Sequence, residues 1–304
     1  MSVAGRLPGV TLGVVVMAYG TPASGDDIEA YYTHIRRGRP PTAEQLDDLR
    51  ARYDAIGGIS PLLAITQAQA AAIRSGLPSD TVLALGMKHA APFIEDAVAS
   101  VADGGATRVV GVVLAPHYSR GSVGEYAERV AATASARGIE AATVPQWHDL
   151  PEWRAFQADA VRAALAGLPA RTQVIFTAHS LPERVLEGDV YPGQLDESAA
   201  AIASAVGLGS ADWSTGWQSA GKTPDPWRGP DIVDVVRDIA ANGSADGVLV
   251  CPQGFTADHL EVLYDLDALA AGVAAELGLA FARTRSLNAD ASVFAALARR
   301  IAAL

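Results

Sequence analysis

Apolar and polar positions alternate along the 304-residue chain on two length scales. Short β-branched or apolar runs, bounded by Gly, Pro or polar residues, predict buried strands at Val14–Ala18, Thr81–Leu85, Val109–Ala115, Val174–Thr177 and Gly247–Cys251. Longer Ala-rich amphipathic stretches predict helices over Asp26–Arg36, Ala43–Ala55, Thr66–Ser75, Pro92–Val101, Val123–Ala136, Glu152–Ala166, Asp196–Val206, Pro230–Ala241, Leu260–Leu277 and Ala291–Leu304. Strand–helix alternation of this kind predicts an α/β fold with parallel sheets and helices on both faces. The stretch between Ser210 and Pro230, with Trp213, Trp217, Gly221, Pro224, Pro226 and Trp227, reads as a long aromatic-rich loop.

A weak internal repeat refines this picture. Val14-Val-Val-Met-Ala-Tyr-Gly-Thr-Pro22 aligns with Val174-Ile-Phe-Thr-Ala-His-Ser-Leu-Pro182. Later in each half, Val112-Val-Leu-Ala-Pro116 matches Gly247-Val-Leu-Val-Cys-Pro252. Two half-chains of one topology explain both pairs, although strand-to-loop junctions often look alike. Ligands of open α/β sheets bind beyond the carboxyl ends of the strands. Tyr19 and His179 occupy equivalent strand ends, so facing halves would direct both at one cleft.

Composition narrows the functions. A 50% hydrophobic chain of this length can bury a large core and favours two domains. The net charge of −11 argues against nucleic-acid binding, which needs a basic face. The single cysteine, Cys251, can form neither an internal disulfide nor a four-cysteine cluster, and fits a reducing cytoplasm. The apolar run Val10–Met17 is too short to span a membrane, lacks a cleavage pattern, and reads as a strand. No transmembrane segment is expected. No GxGxxG, Walker A or HExxH motif is present, which removes the usual dinucleotide, nucleotide and zincin signals.

Several residues remain as candidates for chemistry. His179 ends a fully apolar strand, where an imidazole can bind a metal or accept a proton near neutral pH; its alternative is a core histidine satisfied by backbone. Asp258, Glu261 and Asp265 recur at helical spacing at the entry to a helix. Asp258 reads equally as a helix cap, with Glu261 completing a capping box, but Glu261 also lies at a strand's carboxyl end in the same half as His179. Tyr19 offers a phenol to a ligand or metal, or plugs the core. Ile35-Arg-Arg-Gly-Arg-Pro40, with Arg52 on the next predicted helix, offers guanidinium forks that suit carboxylates, or a solvated face. Ser60 follows in the turn Gly57-Gly-Ile-Ser-Pro61. Of the remaining histidines, His34, His148 and His259 have no distinguishing setting, and His89 and His117 read better as structural.

Taken together, nine ordered segments resemble the ferrochelatase family, and within it the monofunctional bacterial type that metallates coproporphyrin III. They are Val16–Pro22, Tyr31–Gly38, Ala55–Pro61, Lys88-His89 with Pro92–Asp96, Leu114–His117, Ala178–Pro182, Gly216–Ser219, Thr223–Trp227 and Ala257–Asp265, and they run through nearly the whole chain. The resemblance implies two Rossmann-like domains related by a pseudo-twofold, with the active cleft between them. The domains would be residues 1–148, joined by a C-terminal helix at 290–304, and residues 149–289. It implies that the enzyme inserts Fe2+ into a porphyrin, with His179 and Glu261 handling metal and protons and Tyr19 on the opposite macrocycle face as an axial ligand. Asp265 would relay protons or metal. Arg36, Arg52, Ser60, Ser122 and Tyr126 match positions that contact the porphyrin or its propionates. No cofactor is expected beyond substrate Fe2+. With Cys251 alone, no iron–sulfur cluster is expected. Relatives carry a further carboxylate one turn beyond Asp265; here Leu266-Asp-Ala-Leu269 stands there, which puts an outer metal site in doubt. A cytoplasmic monomer, in transient contact with other haem-pathway enzymes, is the expectation. Other readings are a protoporphyrin IX ferrochelatase, a cobalt or nickel chelatase, and a non-catalytic haem or porphyrin carrier. A two-lobed periplasmic binding protein would need a signal peptide, which this N-terminus does not display.

Overall fold

A computed structural model describes residues 11–304, so Val10 and the residues before it lie outside the described part. The strands are β1 (Leu12–Ala18), β2 (Val82–Met87), β3 (Arg108–Val113), β4 (Glu140–Val144), β5 (Thr172–His179), β6 (Trp213–Gln218), β7 (Gly247–Cys251) and β8 (Ala280–Arg283). The helices are α1 (Ile28–Ile35), α2 (Ala43–Ala55), α3 (Leu62–Ser75), α4 (Ile94–Asp103), α5 (Glu125–Ala136), α6 (Pro151–Leu165), α7 (Glu183–Leu186), α8 (Tyr191–Val206), α9 (Ile232–Asn242), α10 (Ala271–Glu276) and α11 (Ala291–Ala302). Two stretches widen into π-helix, Arg120–Gly124 ahead of α5 and Val262–Ala270 ahead of α10.

The strands form two parallel four-stranded sheets, ordered β2-β1-β3-β4 and β6-β5-β7-β8. The order is therefore the same in both, as the repeat predicts. β1 pairs in register with β2 (Val15 beside Ala84) and with β3 (Val15 beside Gly111). β5 likewise sits between β6 and β7. In each sheet the chain order reverses at the second strand, and the crevice beyond its carboxyl end is where such folds bind ligands.

The central strands are largely apolar because helices cover both faces. Val14, Val15, Val16 and Met17 of β1 are fully buried, as are Val248, Leu249, Val250 and Cys251 of β7. Each such Val or Ile side chain contributes about 1.5–3 kcal/mol on burial. Helices meet these strands through one face: Ile232, Val235, Val236 and Ile239 line the buried side of α9. Asp231 caps that helix by accepting from the Val233 amide at 2.9 Å, and Gly243 ends it in a left-handed turn.

The three strands that the hydrophobic pattern did not reveal, β4, β6 and β8, are all sheet edges. An edge strand is half-covered, so Glu140–Val144 and Ala280–Arg283 carry polar or partly exposed positions rather than an apolar run. The aromatic-rich stretch begins as β6 rather than as a loop, because Trp213, Thr215 and Trp217 alternate with small or polar residues at an edge. The helix expected from Asp196 begins earlier, at Tyr191, with Pro192 in its first turn.

The chain separates into two compact units. Of the described residues, the first comprises 11–47, Leu62–Leu150 and Asn288–Leu304, and the second Asp48–Pro61 with Pro151–Leu287. The C-terminal helix α11 returns to the first unit. Its Asp290 cap accepts from the Ser292 and Val293 amides, and Arg300 forks onto Asp149 at 2.5 and 3.1 Å. Asp48–Pro61, expected in the first domain, groups with the second. Asp48 pairs with Lys222 at 3.1 Å, and the Arg52 guanidinium lies over the Tyr264 ring at 5.2 Å. Among the described residues, no helix is long and apolar enough to cross a membrane.

Candidate active site

β5 delivers His179 at its carboxyl end, with Ala178 buried behind it. The loop after β7 packs tightly against that strand end: a side chain at Gly254 would stand 2.6 Å from the Ala178 Cβ. Only glycine allows this approach, which brings the following segment, with His259 and Glu261, to the His179 ring. The Tyr191 hydroxyl donates to the His179 carbonyl at 3.4 Å, and the Phe255 ring lies near both imidazoles.

The two imidazoles are held alike. His179 Nδ1 donates to the Ser180 carbonyl, and His259 Nδ1 donates to the Ala257 carbonyl at 2.9 Å. A backbone acceptor at Nδ1 fixes the orientation of each ring and turns its Nε2 outward. Both Nε2 atoms then address one carboxylate: His179 stands 3.6 Å from Glu261 Oε1, and His259 stands 3.6 Å from Glu261 Oε2. The His179 and Glu261 side chains are each about one-third exposed (34% and 35%), so a solute can reach them.

Electrostatics couple this group. Burial alone would lower the His179 imidazolium, but the Glu261 carboxylate outweighs it and holds its pKa above the usual imidazole value. Burial would raise Glu261, yet His179 and His259 hold it below the usual carboxylate range. One turn on, Asp265 is pushed up to about 6 by burial, with the Glu261 charge adding to the shift; the Ser219 hydroxyl and Arg52 oppose it. Ser219 Oγ donates to Asp265 Oδ2 at 2.5 Å. Glu261 and Asp265 sit four residues apart across the start of the π-helical stretch, whose wider turn keeps such a pair nearly in line.

The first unit places Tyr19 at the matching strand end, 43% exposed although its neighbours in β1 are buried. Its ring packs on His89 at 4.5 Å between centroids, and His89 meets His34 with their Nδ1 atoms 3.1 Å apart. Burial, then Lys88, His34 and Arg129, push His89 down to about 3. Ser122 lies on the π-helical turn before α5. Tyr126 is buried four residues later beneath the Lys88 ammonium, and burial raises its phenol. Arg36 folds over Tyr32 of its own helix, with Nε donating to the Arg39 carbonyl at 3.2 Å.

The structure thus gathers His179, Glu261 and Asp265 in the second unit, with Arg52 reaching the same π-helical stretch through Tyr264. Ser60 lies buried in that unit's Gly57–Pro61 turn. Tyr19, Ser122, Tyr126 and Arg36 belong to the first unit. Asp258 is bound by Ser286 Oγ at 2.7 Å and Arg283 at 3.2 Å. His259 was not singled out by the sequence. It stands two residues from Glu261, a spacing that separates side chains on a helix, and converges only because it precedes the helix proper. Cys251 is buried in β7, where burial raises its thiol to about 12.

Two repeats of one strand order, each with polar side chains at the carboxyl end of its second strand, define a doubly wound α/β class. Solved structures share it: SirB from Bacillus subtilis with Fe3+ matches with a TM-score of 0.57 and 12% identity, over 96% of this chain and 95% of that one. CbiX, the terminal enzyme for biosynthesis of siroheme in denitrifying bacteria, matches with a TM-score of 0.54 and 15% identity, over 96% and 98%. At these identities the likeness is one of fold. The family follows from sequence. The ferrochelatase family model matches residues 11–303. Coproporphyrin III ferrochelatase of Geobacillus kaustophilus is 46% identical over 95% of this chain and 94% of its own. The protein of the same name from Bacillus subtilis is 45% identical over 94% and 96%. The chain belongs to the ferrochelatase family.

Proposed function

We propose that this protein inserts ferrous iron into coproporphyrin III, giving iron coproporphyrin III for haem biosynthesis. The observation that carries the mechanism is the pair of imidazoles whose Nε2 atoms address the two oxygens of Glu261 at 3.6 Å. The relatives named for coproporphyrin III ferrochelatase support the choice of porphyrin.

Metallation exchanges two pyrrole N–H protons for one Fe2+, so the site must accept two protons as two metal–nitrogen bonds form. The Glu261 carboxylate is one acceptor; His179, whose imidazolium that carboxylate favours, becomes the other once its Nε2 proton has left for solvent, its Nδ1 proton still donated to Ser180. The same two groups serve as iron ligands before transfer, since imidazole and carboxylate bind Fe2+ readily and release it without a soft-ligand trap. Asp265, with its pKa near neutrality, passes protons outward from Glu261. Tyr19 meets the opposite macrocycle face and can ligate the inserted iron. Arg36, Arg52, Ser60, Ser122 and Tyr126 contact the porphyrin and its propionates, with Tyr126 offering only its hydroxyl. Iron and porphyrin are both substrates, and no further cofactor takes part. The protein acts as a cytoplasmic monomer and hands its product on through transient contacts.

The test is anaerobic mixing of protein with Fe2+ and either coproporphyrin III or protoporphyrin IX, following loss of free-porphyrin absorbance. Faster multiple turnover with coproporphyrin III is expected. Preference for protoporphyrin IX overturns the substrate, and a single stoichiometric turnover with product retained makes the protein a carrier.

A further inference from the structure

Gln218, the last residue of β6, and Ser219 just after it bond to the elements that carry His179, Glu261 and Asp265. Gln218 is fully buried. Its carbonyl accepts from the Ser180 amide at 2.8 Å, directly behind the His179 ring's own backbone partner. Its side-chain Oε1 accepts from the Thr177 hydroxyl of β5 at 3.0 Å, and its Nε2 donates to the Glu261 carbonyl at 3.4 Å. One side chain therefore ties the strand bearing His179 to the helix start bearing Glu261.

Ser219 continues the same function by a different device. Its backbone lies in the left-handed region at φ 62°, where side chains are disfavoured and glycine fits without strain. Of the described residues, only Arg37, Ser219 and Asn288 take positive φ without being glycine. The conformation turns Ser219 Oγ onto Asp265 Oδ2 at 2.5 Å. Glycine in that turn would keep the backbone and lose the bond. Strain of this kind persists where the surrounding structure over-determines it.

We infer that Gln218 and Ser219 form a positioning bracket for metallation, with the Ser219 hydroxyl fixing the Asp265 carboxylate in line with Glu261 so that protons leave the site along that pair. The inference rests on the function proposed above. With Oδ2 held by Ser219, Asp265 presents Oδ1 in a fixed orientation. Without the hydroxyl, the carboxylate rotates and the hand-off from Glu261 becomes a search. Neither residue needs to touch substrate.

Steady-state iron insertion by wild type, Ser219→Gly and Ser219→Asn tests this. Ser219→Gly should melt at or above the wild-type temperature, because glycine relieves the backbone. Its KM for coproporphyrin III should stay within about twofold while kcat falls about tenfold, the signature of misplaced machinery rather than lost binding. Ser219→Asn tolerates left-handed backbone and supplies an amide donor, so it should recover part of the loss. Wild-type kcat in Ser219→Gly would reduce Ser219 to a turn residue and overturn the bracket. A raised KM with unchanged kcat would do the same by making Ser219 a substrate contact. An inactive wild type would sink the proposed function, and this inference with it, whereas an active wild type with an unaffected Ser219→Gly sinks only the bracket.

Discussion

The two units place different chemistry on one plan. Tyr19 stands just past β1, and His179 ends β5. After β3 a π-helical turn presents Ser122, with Tyr126 four residues on; after β7 Glu261 immediately precedes a π-helical stretch, with Asp265 four residues on. The first unit thus carries hydroxyls where the second carries carboxylates. Their electrostatics diverge accordingly. Burial and the cations Lys88 and Arg129 keep His89 neutral, whereas Glu261 makes His179 more basic against the same pull of burial. A duplicated scaffold fixes where side chains converge, and the charge of a few neighbours decides whether that point is a neutral contact surface or an acid–base centre.

The comparison breaks most readily at the carboxylates. Glu261→Gln should lower kcat by at least about 100-fold, whereas Tyr19→Phe in the first unit should cost no more than about tenfold, because only the former removes a proton acceptor. Equal losses in steady-state assays would put the two units on the same footing.

A second measurement reads the electrostatics directly. Imidazole titrations by NMR should give His179 a midpoint above 6.5 in the wild type and a lower one in Glu261→Gln, where the main opposition to burial is gone. His89 should stay neutral down to well below pH 5 in both. The sign for stability follows. A raised His179 and a depressed Glu261 contribute fully between their ordinary values of 4.5 and 6.5. The contribution fades as pH rises through the His179 value or falls through the Glu261 value. Melting temperature in Glu261→Gln should therefore vary less with pH above 6.5 than in the wild type.

Gly254→Ala should destabilise by about 1–3 kcal/mol in denaturant melts, since its Cβ would meet Ala178 at 2.6 Å and push the loop off β5. Activity should fall further than stability alone explains, because that loop leads to Glu261. The smallest effect belongs to Asp231→Ala, which removes the α9 cap and should cost about 1 kcal/mol with kcat within about twofold of wild type.

Much of this was legible in the sequence, and what was not has a physical cause. The buried central strands β1, β3, β5 and β7 announce themselves as apolar runs. Edge strands β4, β6 and β8 do not, since half-covered strands tolerate Glu140, Ser214 and Arg283. The repeat paired Tyr19 with His179 because both stand at the carboxyl end of the second strand in sheets of one order. Helical periodicity grouped Glu261 with Asp265 but hid His259, whose side chain converges by a turn outside the helix. It also hid Ser219, whose part depends on a left-handed backbone that no hydropathy pattern encodes.

The central claim is that proton removal and iron transfer are carried by His179 with Glu261. The most direct measurement is anaerobic Fe2+ insertion into coproporphyrin III by His179→Ala beside the wild type, with porphyrin affinity followed by fluorescence quenching. The account predicts turnover lost by at least about 100-fold with porphyrin affinity within a few-fold of wild type. Turnover within about threefold of wild type in that variant would contradict it.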